Sequence, residues 1–122
     1  MTRFLVADPD DYSRKALTLL LKFRLHGEAI FEAVDGKELV EQWQQQPLDV
    51  ILVDWNLPNL PAPRVFLKFL HEHPDTTLVL LSIDNSVAMR AKSYGACFIY
   101  KALSAKQVLE HLRTISGAQC IC

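Results

Sequence analysis

Short apolar runs alternate with longer amphipathic stretches five times along the chain, and this rhythm restricts the fold more than any other feature of the sequence. The runs are Phe4 to Ala7, Ala29 to Ala33, Val50 to Val53, Leu78 to Leu81 and Cys97 to Tyr100. They have the length of strands and are apolar almost throughout, so burial on both sheet faces is expected. Strands separated by helix-length segments make a parallel sheet covered by helices, an α/β (βα)5 arrangement. Right-handed crossovers put helices on each face, and such a doubly wound sheet carries its working site outside the carboxyl ends of the strands.

The intervening segments have helical stripes. Ala16, Leu17, Leu20, Leu21 and Phe23 are expected on one face of the first helix, and Leu39, Val40 and Trp43 on the second. Val65, Phe66, Phe69 and Leu70 form a third stripe, Val87, Ala91 and Tyr94 a weaker fourth, and Val108, Leu109, Leu112 and Ile115 a fifth. Asp35 stands three before Glu38, and Ser104 three before Gln107, both with capping-box spacing. Pro47, Pro58, Pro61, Pro63 and Pro74 fall near the joints, where a missing N–H does little harm. With 122 residues, half of them hydrophobic and 22% charged, the chain is expected to be one compact domain over residues 1–118, followed by a loose tail at 119–122.

Several function classes drop out. Thirteen basic against fourteen acidic residues give a net charge of -1, which argues against a broad nucleic-acid footprint or a polybasic membrane anchor. Gly27, Gly36, Gly95 and Gly117 are isolated and cannot form a glycine-rich phosphate loop. No apolar run approaches the roughly 18 residues of a membrane span. The opening run meets Asp8 too soon for a signal-peptide core, so a cytoplasmic location is expected. Cys97, Cys120 and Cys122 are odd in number and lack framework spacing, which favours reduced thiols, and the terminal Cys120-Ile121-Cys122 lacks the second ligand pair of a metal site.

Chemistry-bearing residues gather where the topology says to look. The first run ends into Asp8-Pro9-Asp10-Asp11, the third into Asp54-Trp55-Asn56, the fourth into Ser82 and the fifth into Lys101. Clustered carboxylates repel unless a cation relieves them, and a few carboxylates with retained waters are the Mg2+ style. His26, His71, His73 and His111 all lie away from strand ends, so a conventional base and nucleophile pair is missing. Phosphoryl transfer asks mainly for charge neutralisation and positioning, and an aspartate can itself be the nucleophile. The bland alternative is that the acids after the first run cap a helix, Ser82 belongs to a turn and Lys101 is solvated.

The segment Asp54-Trp55-Asn56-Leu57-Pro58-Asn59-Leu60 closely resembles that around the phosphorylated aspartate of response-regulator receiver domains, the chemotaxis regulator above all. Asp8, Ser82 and Lys101 fall at family-like spacing, so the resemblance covers essentially the whole chain. It implies a flavodoxin-like sheet of order 2-1-3-4-5. It also implies that Asp54 accepts a phosphoryl group from a histidine kinase or phosphotransfer protein of a two-component system. Mg2+ would be held by Asp8, Asp54 and the backbone carbonyl of Asn56. Lys101 would pair with the phosphoryl oxygens, Ser82 would hydrogen-bond them, and Phe98 would be the switching aromatic. The switched surface, made by the fourth helix, fifth strand and fifth helix, would address a downstream output domain or protein, and some relatives form homodimers there. Neither direct nucleic-acid binding nor membrane binding is expected.

Three positions depart from the family pattern. Pro9 stands where the direct Mg2+ ligand is usual, so metal binding is expected to be weak or rearranged unless Asp10 compensates along a different loop path. Lys101 is followed by Ala102 instead of proline. A cis bond before alanine costs about 3 to 4 kcal/mol, so this bond is expected to be trans. Pro61-Ala62 followed by Pro63 replaces the usual Asp-Gly and predicts a stiffened entrance to the third helix. A degenerate receiver acting as a phosphorylation-independent interaction module is the alternative that Pro9 and Ala102 motivate. A stand-alone phosphatase-like enzyme would need a general acid or cap domain that 122 residues do not offer.

Overall fold

The computed structural model describes residues 2–26, 29–102 and 105–117. Strands β1 (Arg3–Ala7), β2 (Ala29–Ala33), β3 (Val50–Asp54), β4 (Thr77–Ser82) and β5 (Cys97–Tyr100) alternate with helices α1 (Asp11–Arg24), α2 (Gly36–Gln45), α3 (Pro63–Glu72), α4 (Ala88–Ala91) and α5 (Ala105–Gly117). All pairings are parallel, in the order β2-β1-β3-β4-β5, which is the flavodoxin-like order. Ala7 lies opposite Val53, Val53 opposite Leu80 and Leu80 opposite Phe98. Four strands therefore finish level along one edge.

Alternation of side chains divides the core. Phe4, Val6, Leu52, Val79 and Ile99 pack with Leu21 of α1 and Val108 and Leu112 of α5. Leu5, Ile51, Val53, Leu78 and Leu80 pack on the other side with Leu39 and Trp43 of α2 and Phe66 and Phe69 of α3. Each large side chain so buried stabilises the fold by roughly 1.5–3 kcal/mol. Asp10 caps α1 by accepting from the Ser13 N–H, and Asp35 caps α2 by accepting from the Glu38 N–H at 2.8 Å.

Some expectations need correction. Burial on both faces holds for β1, β3 and β4 but not for β2, where only Ala33 is buried, or for β5, which alternates. These are the edge strands, with a neighbour on one side only. Phe23 is 66% exposed and Ala16 is exposed. The inward face of α1 is instead Arg14, Leu17 and Leu21, spaced three and four apart, and Phe23, two residues past Leu21, turns away from it. The fourth helical segment is one turn of α4 between 3-10 turns at Asn85–Val87 and Lys92–Tyr94, although Val87, Ala91 and Tyr94 are buried as the stripe requires. Cys97 is disulfide-bonded, contrary to the reading of three reduced thiols. Ser104, Cys120, Cys122 and the side chain of Ile115 lie outside the described residues, as does the tail at 119–122.

Candidate functional site

The level strand ends deliver Asp8 from just past β1, Asp54 from β3, Ser82 from β4 and Lys101 from just past β5 to one cleft, which Asp10 and Asn56 also line. Asp8 and Asp54 are buried to 1% and 5% exposure, so water does little to stabilise either carboxylate. Lys101 supplies the compensation. Its Nζ donates to Asp8 Oδ2 at 2.7 Å and to Asp54 Oδ2. Burial alone pulls the Lys101 pKa down, but hydrogen bonds and charge from Asp54 and Asp8 outweigh it, and the net shift is upward.

The other two carboxylate oxygens are bound by the turns that follow. Asp8 Oδ1 accepts from the Asp10 N–H at 2.9 Å, and Asp54 Oδ1 from the Asn56 N–H at 2.7 Å. Both are side-chain turns of the kind aspartate favours. Ser82 Oγ accepts from the Asp84 N–H at 3.0 Å, which leaves its hydroxyl proton to donate. The Lys101 N–H donates to the Ser82 carbonyl at 2.8 Å, tying the lysine's backbone to the end of β4.

The path of the first loop decides what Asp10 can do. Its Oδ2 accepts from the Ser13 N–H at 3.0 Å, so one oxygen of this cleft-lining carboxylate caps the helix. Among the described residues no group of three or more His, Cys, Asp or Glu is arranged to hold a metal ion. The Lys101-Ala102 bond is trans, as expected.

Around the cleft, the loop after Asp54 is tied to its surroundings, beginning with the Trp55 N–H, which donates to the Leu81 carbonyl at 2.8 Å. The Gly36 N–H donates to the Pro58 carbonyl at 2.8 Å. The Trp55 ring meets Tyr94 edge-on at 5.6 Å and carries the Arg90 guanidinium at 5.9 Å. Pro63 opens α3 at its first position, with no side-chain cap from Ala62. Phe98 is half-buried against the core on the α2 and α3 side and does not line the cleft.

A sequence profile of the response regulator receiver domain matches residues 4–113. The chain belongs to that family. Receiver domains are signalling modules of two-component systems, and the phosphorelay character expected from Asp54-Trp55-Asn56 agrees with this membership. This receiver domain is 24% identical over 122 residues to the response regulator GacA of Pseudomonas viridiflava, covering 98% of the chain and 57% of the relative. It is 28% identical over 119 residues to the glycerol metabolism activator of Pseudomonas putida, covering 94% and 54%. The chain thus spans about half the length of the curated relatives it matches. The CheY-like response regulator receiver domain protein of Methanospirillum hungatei JF-1 has the same fold, with a TM-score of 0.80 at 18% identity over 96% of this chain and 94% of that one. No helix among the described residues is long and apolar enough to cross a membrane.

Sequence reasoning about this receiver domain missed Arg14 and the contact made by Gly36. Arg14 is buried in α1 and bonded to Asp8, Asp11 and Glu32. A charged residue in register with Leu17 and Leu21 was the available signal. Gly36 had no such signal, because the main chain it meets comes from a loop more than twenty residues away.

Proposed function

We propose that Asp54 accepts a phosphoryl group from a phosphohistidine on a histidine kinase or phosphotransfer protein. The observation that carries this reading is Asp54 at the carboxyl edge of the sheet, with the Lys101 ammonium on its carboxylate. In the step, a carboxylate oxygen of Asp54 forms a bond to phosphorus while the P–N bond of the phosphohistidine breaks. The imidazole leaves with the electron pair and takes up a proton, and the product is an acyl phosphate. Lys101 offsets negative charge on the transferring oxygens, and the Ser82 hydroxyl donates to one of them.

Mg2+ is the cation receiver domains generally bind at the acidic pocket. Two carboxylates and a backbone carbonyl are a donor set that Mg2+ accepts when it keeps several waters. Asp8, Asp54 and the Asn56 carbonyl would hold it, more weakly than a pocket with a further carboxylate at position 9. When bound, it would neutralise charge shared by the carboxylates and the phosphoryl group. The chain's own residues orient the acceptor regardless: the Asn56 N–H and Lys101 each hold one oxygen of Asp54.

Once phosphorylated, Ser82 would be drawn toward the new oxygens, and Phe98, sixteen positions on at the outer strand, would relay the shift to the surface made by α4, β5 and α5. A downstream output domain or protein would read that surface. The test is incubation with acetyl phosphate and Mg2+ followed by intact-mass measurement. One added phosphoryl group, absent in Asp54→Asn, is expected, and unchanged mass, also with a cognate kinase, would overturn the reading.

A further inference from the structure

We propose that Arg14 is a positioning residue for phosphoryl acceptance, aiming the Asp8 carboxylate at Lys101. The inference rests on the reading of Asp54 as acceptor. Arg14 lies on the inward face of α1 at 8% exposure. A guanidinium does not shed its charge, so its burial is tolerated only where its donors are well paired.

The fork has three separate targets. Nη1 donates to the backbone carbonyl of Asp8 at 2.8 Å, Nε to Glu32 Oε1 at 2.9 Å, and Nη2 to the Asp11 carboxylate. Glu32 and Asp11 are exposed and stand outside the cleft. A salt bridge that only tied α1 to β2 would need no more than Glu32, and Asp11 pairs with Arg14 within α1 itself.

The third bond goes to the main chain of a buried cleft residue, and its consequence is geometric. The Asp8 N–H already donates to the Ala33 carbonyl of β2 at 3.0 Å. With the N–H fixed by β2 and the carbonyl fixed by Arg14, the peptide planes on both sides of Asp8 are set. The direction of its Cα–Cβ bond follows, and with it the approach of Oδ2 to Lys101 Nζ at 2.7 Å. Lysine in place of Arg14 would keep the charge but not the fork that reaches three divergent acceptors.

The test is a double-mutant cycle on the rate of phosphoryl uptake from acetyl phosphate at saturating Mg2+, run below the unfolding transition of each variant. Arg14→Gln is expected to slow uptake by roughly 10- to 100-fold. In an Asp8→Asn background the same change should slow it no further, since the group that Arg14 aims is gone. Equal slowing in both backgrounds means a merely structural role and overturns the proposal. Wild type that takes up no phosphoryl group overturns the acceptor reading instead. The geometry is then read without any donor, from the side-chain ammonium signal of Lys101 in a 1H–15N spectrum. Wild type and Glu32→Gln should keep a sharp signal, while Arg14→Gln and the milder Arg14→Lys should broaden it by faster exchange. An unchanged Lys101 signal in both Arg14 variants overturns the proposal.

Discussion

Lys101 and Asp8 are 93 positions apart in the chain, yet Lys101 Nζ donates to Asp8 Oδ2 at 2.7 Å across the carboxyl edge of the sheet. The same ammonium reaches Asp54, so one cation from β5 holds together the acids contributed by β1 and β3. The contact exists because four parallel strands end level; a shift of one strand by a residue would turn its terminal side chain to the other face.

Removing that cation should be costly. In Lys101→Met, Asp8 and Asp54 become two buried carboxylates without their partner, and the loss is expected to be about 3 kcal/mol near neutral pH. The sign with pH follows from the raised Lys101 pKa. Its contribution is fully present below the ordinary value of 10.5 and is lost as pH rises through the higher folded value. Urea midpoints should therefore fall above that pH in wild type more than in Lys101→Met. Identical alkaline profiles would show that the ammonium contributes nothing.

Pro9→Asp should strengthen Mg2+ binding by about tenfold or more, because it adds a carboxylate beside Asp8, whereas Asp10 already spends one oxygen on capping α1. Tryptophan fluorescence reports it, since Trp55 adjoins Asp54. Without the metal the added acid joins Asp8 and Asp54, so Pro9→Asp should be less stable than wild type in EDTA and regain stability as Mg2+ is added. Pro9→Ala should show neither effect, and equal behaviour of the two variants would refute the assignment.

Five runs, their order of appearance and the strand-end residues were all legible in the sequence, because burial writes itself into continuous apolar segments and parallel topology puts their ends on one edge. The cleft residues Asp8, Asp54, Ser82 and Lys101 were found that way. What was not legible depends on which copy of a pattern has neighbours. β2 reads like β1 but has a strand on only one side, and the short fourth helix shows only three buried positions to define it. Gly36 acquires its role from main chain distant along the sequence, which leaves no periodic trace, and the register of Arg14 with Leu17 and Leu21 marks it as inward-facing without showing that it bonds the Asp8 carbonyl.

The error over Phe23 is measurable. Leu21 is fully buried against β1 and α5, and Leu21→Ala should cost about 2–5 kcal/mol. Phe23 is 66% exposed, and Phe23→Ala should fall within about 0.5 kcal/mol of wild type in chemical denaturation. A comparable cost at both positions would mean that the α1 stripe faces inward as the sequence pattern alone suggested.

Gly36→Ala tests how tightly the loop after Asp54 is held. A Cβ built at Gly36 lies 1.8 Å from the Asn59 carbonyl oxygen and 2.6 Å from its carbon, distances at which main chain must move. Asn59 already adopts a left-handed conformation at φ 56°, and Pro58 and Pro61 limit how the loop can yield. The expected cost is about 1–3 kcal/mol from overpacking. Because the displaced loop begins at Asp54 and carries Trp55 and Asn56, the variant should also take up phosphoryl groups more slowly and show shifted Trp55 fluorescence even where it remains folded. A loss of stability with unchanged uptake and fluorescence would mean that the strain is absorbed beyond Asn59 and never reaches the acceptor.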